Sequence, residues 1–152
     1  MINITAVIVA GLAGAAIFSM FTGMARSTGM TKMSIEKTMG AMFGEGTGAT
    51  AAGWMMHFMM GVVFAVGYVV AFNVLGTTSG WLYGAVFGLA HGLIVGSMVL
   101  PMMSTVHPAI VAGKIEAPGF FAKNAGPMTP MGLIVGHVLF GTVIGGIYFL
   151  LA

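Results

Sequence analysis

Three histidines, His57, His91 and His137, each stand within a different long apolar stretch of this 152-residue chain. An imidazole in hydrocarbon costs free energy unless it finds a partner, so three at similar depth mark the first candidate site. Imidazole nitrogens ligate haem iron and copper, and thioether sulfur favours Cu(I). Met98, on the stretch that carries His91, and Met20, on the first stretch, fall at comparable levels. The chemistry expected is therefore cofactor binding, with His57, His91 and His137 as ligands and Met98 and Met20 as additional metal ligands. One form is a haem b held between His57 and His137, with His91 as a third ligand or neighbour; another is a copper ion. A cluster of hydrogen-bonded rings with no cofactor stands as an equal alternative, because intramembrane histidines are commonly satisfied by a carbonyl or hydroxyl.

The elements that must position these side chains follow from composition. Hydrophobic residues make up 59% of the chain and charged residues 5%, with a mean hydropathy of +1.06, too few polar groups to cover a water-facing surface. A helix needs roughly 20 apolar residues to cross a bilayer core, and residues 4–24, 51–75, 80–103 and 131–151 qualify. None alternates as a membrane β-strand would. The expected fold is all-α, a four-transmembrane-helix bundle forming one membrane domain over residues 1–152.

Arg26, Lys32, Lys37, Lys114 and Lys123 all fall in the first or third connection, and the second carries no charge. The positive-inside rule then places those two loops in the cytoplasm and both termini outside. The first apolar stretch has no basic lead-in and no small-residue cleavage site, so it is expected to remain as a helix. With no cysteine, disulfides, thiolate metal sites and iron–sulfur clusters are excluded. No basic patch with interleaved aromatics suggests nucleic acid as a partner; the expected partners are lipid and other membrane subunits or copies of the chain.

Within the first connection, Ser34 is a candidate N-cap for a short helix over residues 34–43 lying in the membrane interface. Ile35, Met39, Met42 and Phe43 would form its apolar stripe, with Glu36 and Lys37 turned away. The third connection, residues 104–130, holds four prolines and no long helix, and its Phe120 and Phe121 are placed to dip into the headgroup boundary. His107 in it is expected to be an ordinary exposed imidazole. Tyr68, Tyr83, Tyr148 and Trp81 are expected in an outer aromatic belt, and Trp54 at the inner boundary.

His57, Gly61 and Tyr68 recur as His137, Gly141 and Tyr148 at the same separations, and Gly11-Leu12-Ala13 is echoed by residues 88–90. This predicts two repeated helical hairpins related by an axis along the membrane normal. Gly84, Gly88, Gly92 and Gly96 recur every four residues, a small-residue stripe that lets helix backbones approach closely.

No acidic residue lies within a span, unless Glu45 folds inwards, and no serine-hydrolase triad, zinc-protease helix, P-loop or dinucleotide fingerprint is present. Catalysis by this chain alone is not expected. The motifs W-x-x-H-F-x-x-G at residues 54–61, Y-G-x-x-x-G-x-x-H-G at 83–92 and G-H-x-x-x-G at 136–141 carry a resemblance. On these, the chain resembles an uncharacterised prokaryotic family of small four-helix integral membrane proteins with a histidine in helices two, three and four. The resemblance implies the fold and the candidate positions, not a reaction. The expected role is a small subunit of a larger membrane complex of respiratory or other redox type, with the histidine cluster binding haem, a pigment or copper. A purely structural assembly subunit and a small oligomeric transporter or channel are the alternatives.

Overall fold

The computed structural model describes residues 2–152 and is all-helical. Four helical stretches are long and apolar enough to cross a membrane. The first, α1 (Ile4–Ser27), starts where Asn3 accepts from the Ala6 N–H. A short helix α2 (Ile35–Gly40) follows, then α3 (Gly46–Leu75), which ends as Gly76 takes the left-handed conformation at φ 61°. The third stretch is composite: α4 (Gly80–Ile94), a π-helical segment (Val95–Val99) and α5 (Leu100–Val106). α6 (Pro108–Val111), a 3₁₀ segment (Phe120–Ala125) and α7 (Thr129–Leu151) complete the chain. The spans thus run three to five residues beyond several of the expected ends, because the apolar criterion stops at the first polar residues while the helical backbone continues.

Both described termini lie at one end of the bundle, where the Asn3 side chain donates to the Leu151 carbonyl. The other end holds α2, the third connection and every charged side chain. α1 and α7 are the most buried spans; α3 packs on α1 and, at its charged end, on α2, and α4 packs on α7. Glycine sets both contacts between spans. Gly84 and Gly141 face one another's carbonyl oxygens, Gly80 meets Gly145, and Gly88 lies against the His137 carbonyl. On the other pair, a Cβ added at Gly11 would lie 2.6 Å from Val62 Cα, and one at Gly61 would lie 2.7 Å from the Gly11 oxygen. Side chains are excluded at these crossings, so dispersion between backbones holds the helices.

The π segment has a local cause. Pro101 has no N–H to offer one turn back, and the wide turn ahead of it places the Leu100 N–H on the Val95 carbonyl. The slower rotation keeps the four-residue stripe Gly84, Gly88, Gly92, Gly96 and Leu100 facing inwards throughout.

Two expectations about the charged end are corrected. α2 forms with Ser34 as its cap, but it spans six residues and Glu36 points into the bundle, 1% exposed, while Met42 and Phe43 lie outside. The Ser19 hydroxyl donates to Glu36 Oε1 at 2.8 Å, the Ser34 hydroxyl to Oε2 at 2.9 Å, and the Arg26 guanidinium stands 3.5 Å away. A helical-stripe argument missed this because it weighed apolar residues on α2 alone, whereas Ser19 and Arg26 on α1 solvate the carboxylate. His107 is the second: it is 2% exposed, and its Nε2–H donates to the Thr38 carbonyl at 2.9 Å, fastening the third connection to α2.

Further ties order that connection. Thr129 Oγ1 donates to Thr31 Oγ1 at 2.8 Å, and the Lys32 N–H to the Ala125 carbonyl at 2.7 Å. Phe121 packs its ring onto Gly96, and Ala122 is fully enclosed; both hold positive φ (51° and 54°), a conformation that costs a non-glycine residue about 1–2 kcal/mol and persists only where packing over-determines it. Phe120 is exposed, whereas Phe121, expected beside it at the headgroup boundary, turns inwards onto Gly96 instead.

Candidate functional site

The three histidines come from three spans. His57 is on α3, one turn before the Gly61 crossing; His91 is on α4; His137 is on α7, one turn before Gly141. The buried face of α3 runs Gly53, His57, Gly61, Ala65, Tyr68 and Phe72, so the spacing that packs glycine against α1 also turns His57 inwards. His57 and His137 are each 8% exposed, and His91 is half-buried.

The rings form a continuous aromatic cluster. His91 and His137 lie edge to face with centroids 4.8 Å apart. Phe18 of α1 contacts both His137, at 5.0 Å, and His57, at 5.9 Å. Phe64 covers His91 at 4.2 Å, and Phe140 packs on it at 6.1 Å.

Each imidazole also has one nitrogen engaged by the protein. His57 Nε2–H donates to the Ala15 carbonyl across the α1–α3 contact at 3.2 Å. His137 Nδ1–H donates to the Leu133 carbonyl one turn back at 2.8 Å. His91 Nδ1 hydrogen-bonds the Tyr68 hydroxyl at 3.3 Å. Net bonds of this kind are worth about 0.5–1.5 kcal/mol, but a buried ring left unpaired costs more, so the two pairings between spans, His57 with Ala15 and His91 with Tyr68, fix which helix faces can meet.

Tyr68 was expected in an aromatic belt and is instead 7% exposed and part of the cluster; Tyr148 is likewise buried, at 5%. The signal was present in the eleven-residue separation from His57 and His137, three turns that keep tyrosine on the buried face. Trp81 and Tyr83 do stand on the outer surface near the uncharged end, and Trp54 is exposed near the charged one.

Met98 and Met20 do not join the histidines: their side chains are 66% and 64% exposed on the outer surface. Seven residues after His91, Met98 would share its face on a regular α-helix, but the π segment rotates it away. Met20 follows directly after the buried pair Phe18 and Ser19, about 100° further round α1. Glu45 does not fold inwards; it pairs with Lys114 at 2.9 Å at the periphery, and the ammonium's hydrogen bond and charge hold its carboxyl below the ordinary 4.5.

Haem and copper fit this arrangement poorly. A planar macrocycle between His57 and His137 would need the room that the Phe18 ring fills. A copper ion held by the imidazoles together with Met98 and Met20 lacks its sulfur ligands, because both thioethers point outwards. Among the described residues no group of three or more His, Cys, Asp or Glu side chains is placed to hold a metal ion. No family model, curated protein or solved structure matches the chain.

Proposed function

We propose that this chain is a small integral membrane subunit of a larger membrane assembly, in which His57, His91 and His137 lock the bundle and hold no haem or copper. The observation that carries this reading is that the Phe18 ring stands against both His57 and His137, in the space a macrocycle between them would take, while the candidate thioethers of Met20 and Met98 face outwards. His57 and His91 then act as polar pins, each restricting the rotation of its helix to the setting in which its partner on another span is reached, whereas the His137 bond lies within α7 and serves to satisfy a buried ring.

The rest of the architecture is consistent with a packing unit. α3 and α4 present their outward sides almost entirely as apolar side chains, among them Val63, Val70, Val86, Leu89 and Leu93, with no polar stripe to line a pathway. Gly61 meets Gly11 as Gly141 meets Gly84, and His57 and His137 stand one turn before those glycines. That correspondence supports two parallel hairpins descended from one, with membership of the small four-helix family to which the motifs point. In this reading the lysine-bearing end faces the cytoplasm of a prokaryotic cell and both termini face outwards.

Native purification in mild detergent, with identification of co-migrating chains, an absorption spectrum and metal analysis, tests the proposal. Companion membrane subunits are expected, with no stoichiometric haem or copper. A Soret band or one copper per chain, lost in His57→Ala or His137→Ala, would overturn the cofactor-free core; a chain that migrates alone from native membranes would overturn the subunit role.

A further inference from the structure

At the charged end, a crevice of about 250 Å³ opens between the first and third connections, lined by Lys32, Ser34, Lys37, Thr38, Glu116 and Asn124 among others. Among the described residues two ion pairs form, Arg26 with Glu36 and Lys114 with Glu45. They consume two of the three carboxylates, and leave Lys32, Lys37 and Lys123 against Glu116 alone. Lys32 and Lys37 line the crevice, and Lys123 precedes Asn124 on its wall. The excess positive charge of the chain is thus gathered around one cavity rather than spread over the surface.

The donors available there are definite. The Ser34 hydroxyl donates to Glu36 and the Thr38 hydroxyl to the Ser34 carbonyl, so neither is free. Asn124 commits one amide hydrogen to the Ala117 carbonyl and keeps the other. Two ammonium groups and one amide N–H suit a small oxyanion, with lysine acting as a point charge on phosphate. The walls are tied by the Lys32 N–H on the Ala125 carbonyl and by Thr129 on Thr31, so the cavity exists before anything enters it. At about 250 Å³ it has room for a phosphate, and because it is open on one side the remainder of the guest can lie outside.

We infer that the crevice between Lys32, Lys37 and Asn124 binds a phosphate group, with Glu116 on its wall restricting affinity. Two sources carry that chemistry: the headgroup of an anionic phospholipid and a soluble phosphate ester or inorganic phosphate. They separate in nanodiscs. The full chain is reconstituted in phosphatidylcholine alone, in phosphatidylcholine with a minor fraction of phosphatidylglycerol, and in phosphatidylcholine with inorganic phosphate in the buffer. Retained lipid is read by native mass spectrometry and protection by the melting temperature.

Lys32→Gln and Lys37→Gln are compared with Lys114→Gln, which removes the same charge from an exposed pair outside the crevice. Lipid retention is expected to fall about fivefold in each crevice variant and to stay near wild type in Lys114→Gln, with Glu116→Gln binding more tightly than wild type. Protection by inorganic phosphate with no preference for phosphatidylglycerol, lost in the same two variants, assigns the site to the soluble source. Equal losses in all three lysine variants, or neither retention nor protection in wild type, would overturn the site and leave only diffuse attraction between a basic face and anionic lipid.

Discussion

The Tyr68 hydroxyl on α3 lies 3.3 Å from Nδ1 of His91 on α4, joining two consecutive spans whose backbones otherwise hardly touch. Above it, Phe72 stacks on Phe87 at 5.4 Å, so aromatic side chains, and not glycine, bridge this pair. Tyr68→Phe keeps the ring and removes the bond. A loss of about 1 kcal/mol is expected, read as a lowered melting temperature, with His91→Ala losing more because it also removes the contacts to Phe64 and His137. Equal stability of Tyr68→Phe and wild type would show that the hydroxyl is satisfied without His91.

Gly88→Leu should be among the most damaging single substitutions, because even a Cβ there falls on the His137 carbonyl oxygen. Overpacking costs typically 1–3 kcal/mol and here is met by backbone, so about 3 kcal/mol or more is expected. Gly67→Leu, on an open surface of α3, is the matched control. Similar melting temperatures for the two would contradict the α4–α7 crossing.

Glu36 makes stability depend on pH. Burial alone would raise its pKa, but hydrogen bonds from its own backbone N–H, Ser19 and Ser34, and the Arg26 charge, leave it below the ordinary 4.5. A carboxylate lowered on folding adds stability that is present above 4.5 and is lost as pH falls through 4.5 towards the folded-state value. Thermal melts of wild type are therefore expected to weaken on acidification in that window, and those of Glu36→Gln to be less stable at pH 7 but flatter. Parallel pH profiles would indicate that the carboxylate is not held as described.

His107→Phe removes the donor to the Thr38 carbonyl while keeping a flat ring in the enclosed space. The third connection should then be cut faster by protease between Ala112 and Gly119, with the spans unaffected. Unchanged cleavage would mean that Phe121, Thr129 and Lys32 hold the loop without it.

The spans and the shared depth of the three histidines were legible because hydrophobic length and helical rise are properties of single segments, but the favoured pairing of His57 with His137 was not, since it is His91 that meets His137 while Phe18 contacts both of the others. The same arithmetic misplaced Met98, since a proline ten residues after His91 rewinds the helix and no local pattern announces how far. Tyr68 and Tyr148 carried a signal in their spacing that was outweighed by the general habit of tyrosine at membrane boundaries. Glu36 and His107 were not legible at all from α2 or the third connection. Their surroundings come from Ser19, Arg26 and Thr38, side chains and a carbonyl brought close only by tertiary structure.

The link between α3 and α4, residues 76–79, joins helices that find their glycine contacts elsewhere, α3 on α1 and α4 on α7. Severing it would remove a tether and little interface. Two separately translated halves, each a self-contained hairpin, are thus expected to reunite in a bilayer through Gly14 against Phe140 and Ile144 and through Phe18 against Gly136. The polypeptide would then behave as a covalently fused heterodimer, whose seam could be relocated without altering what is assembled.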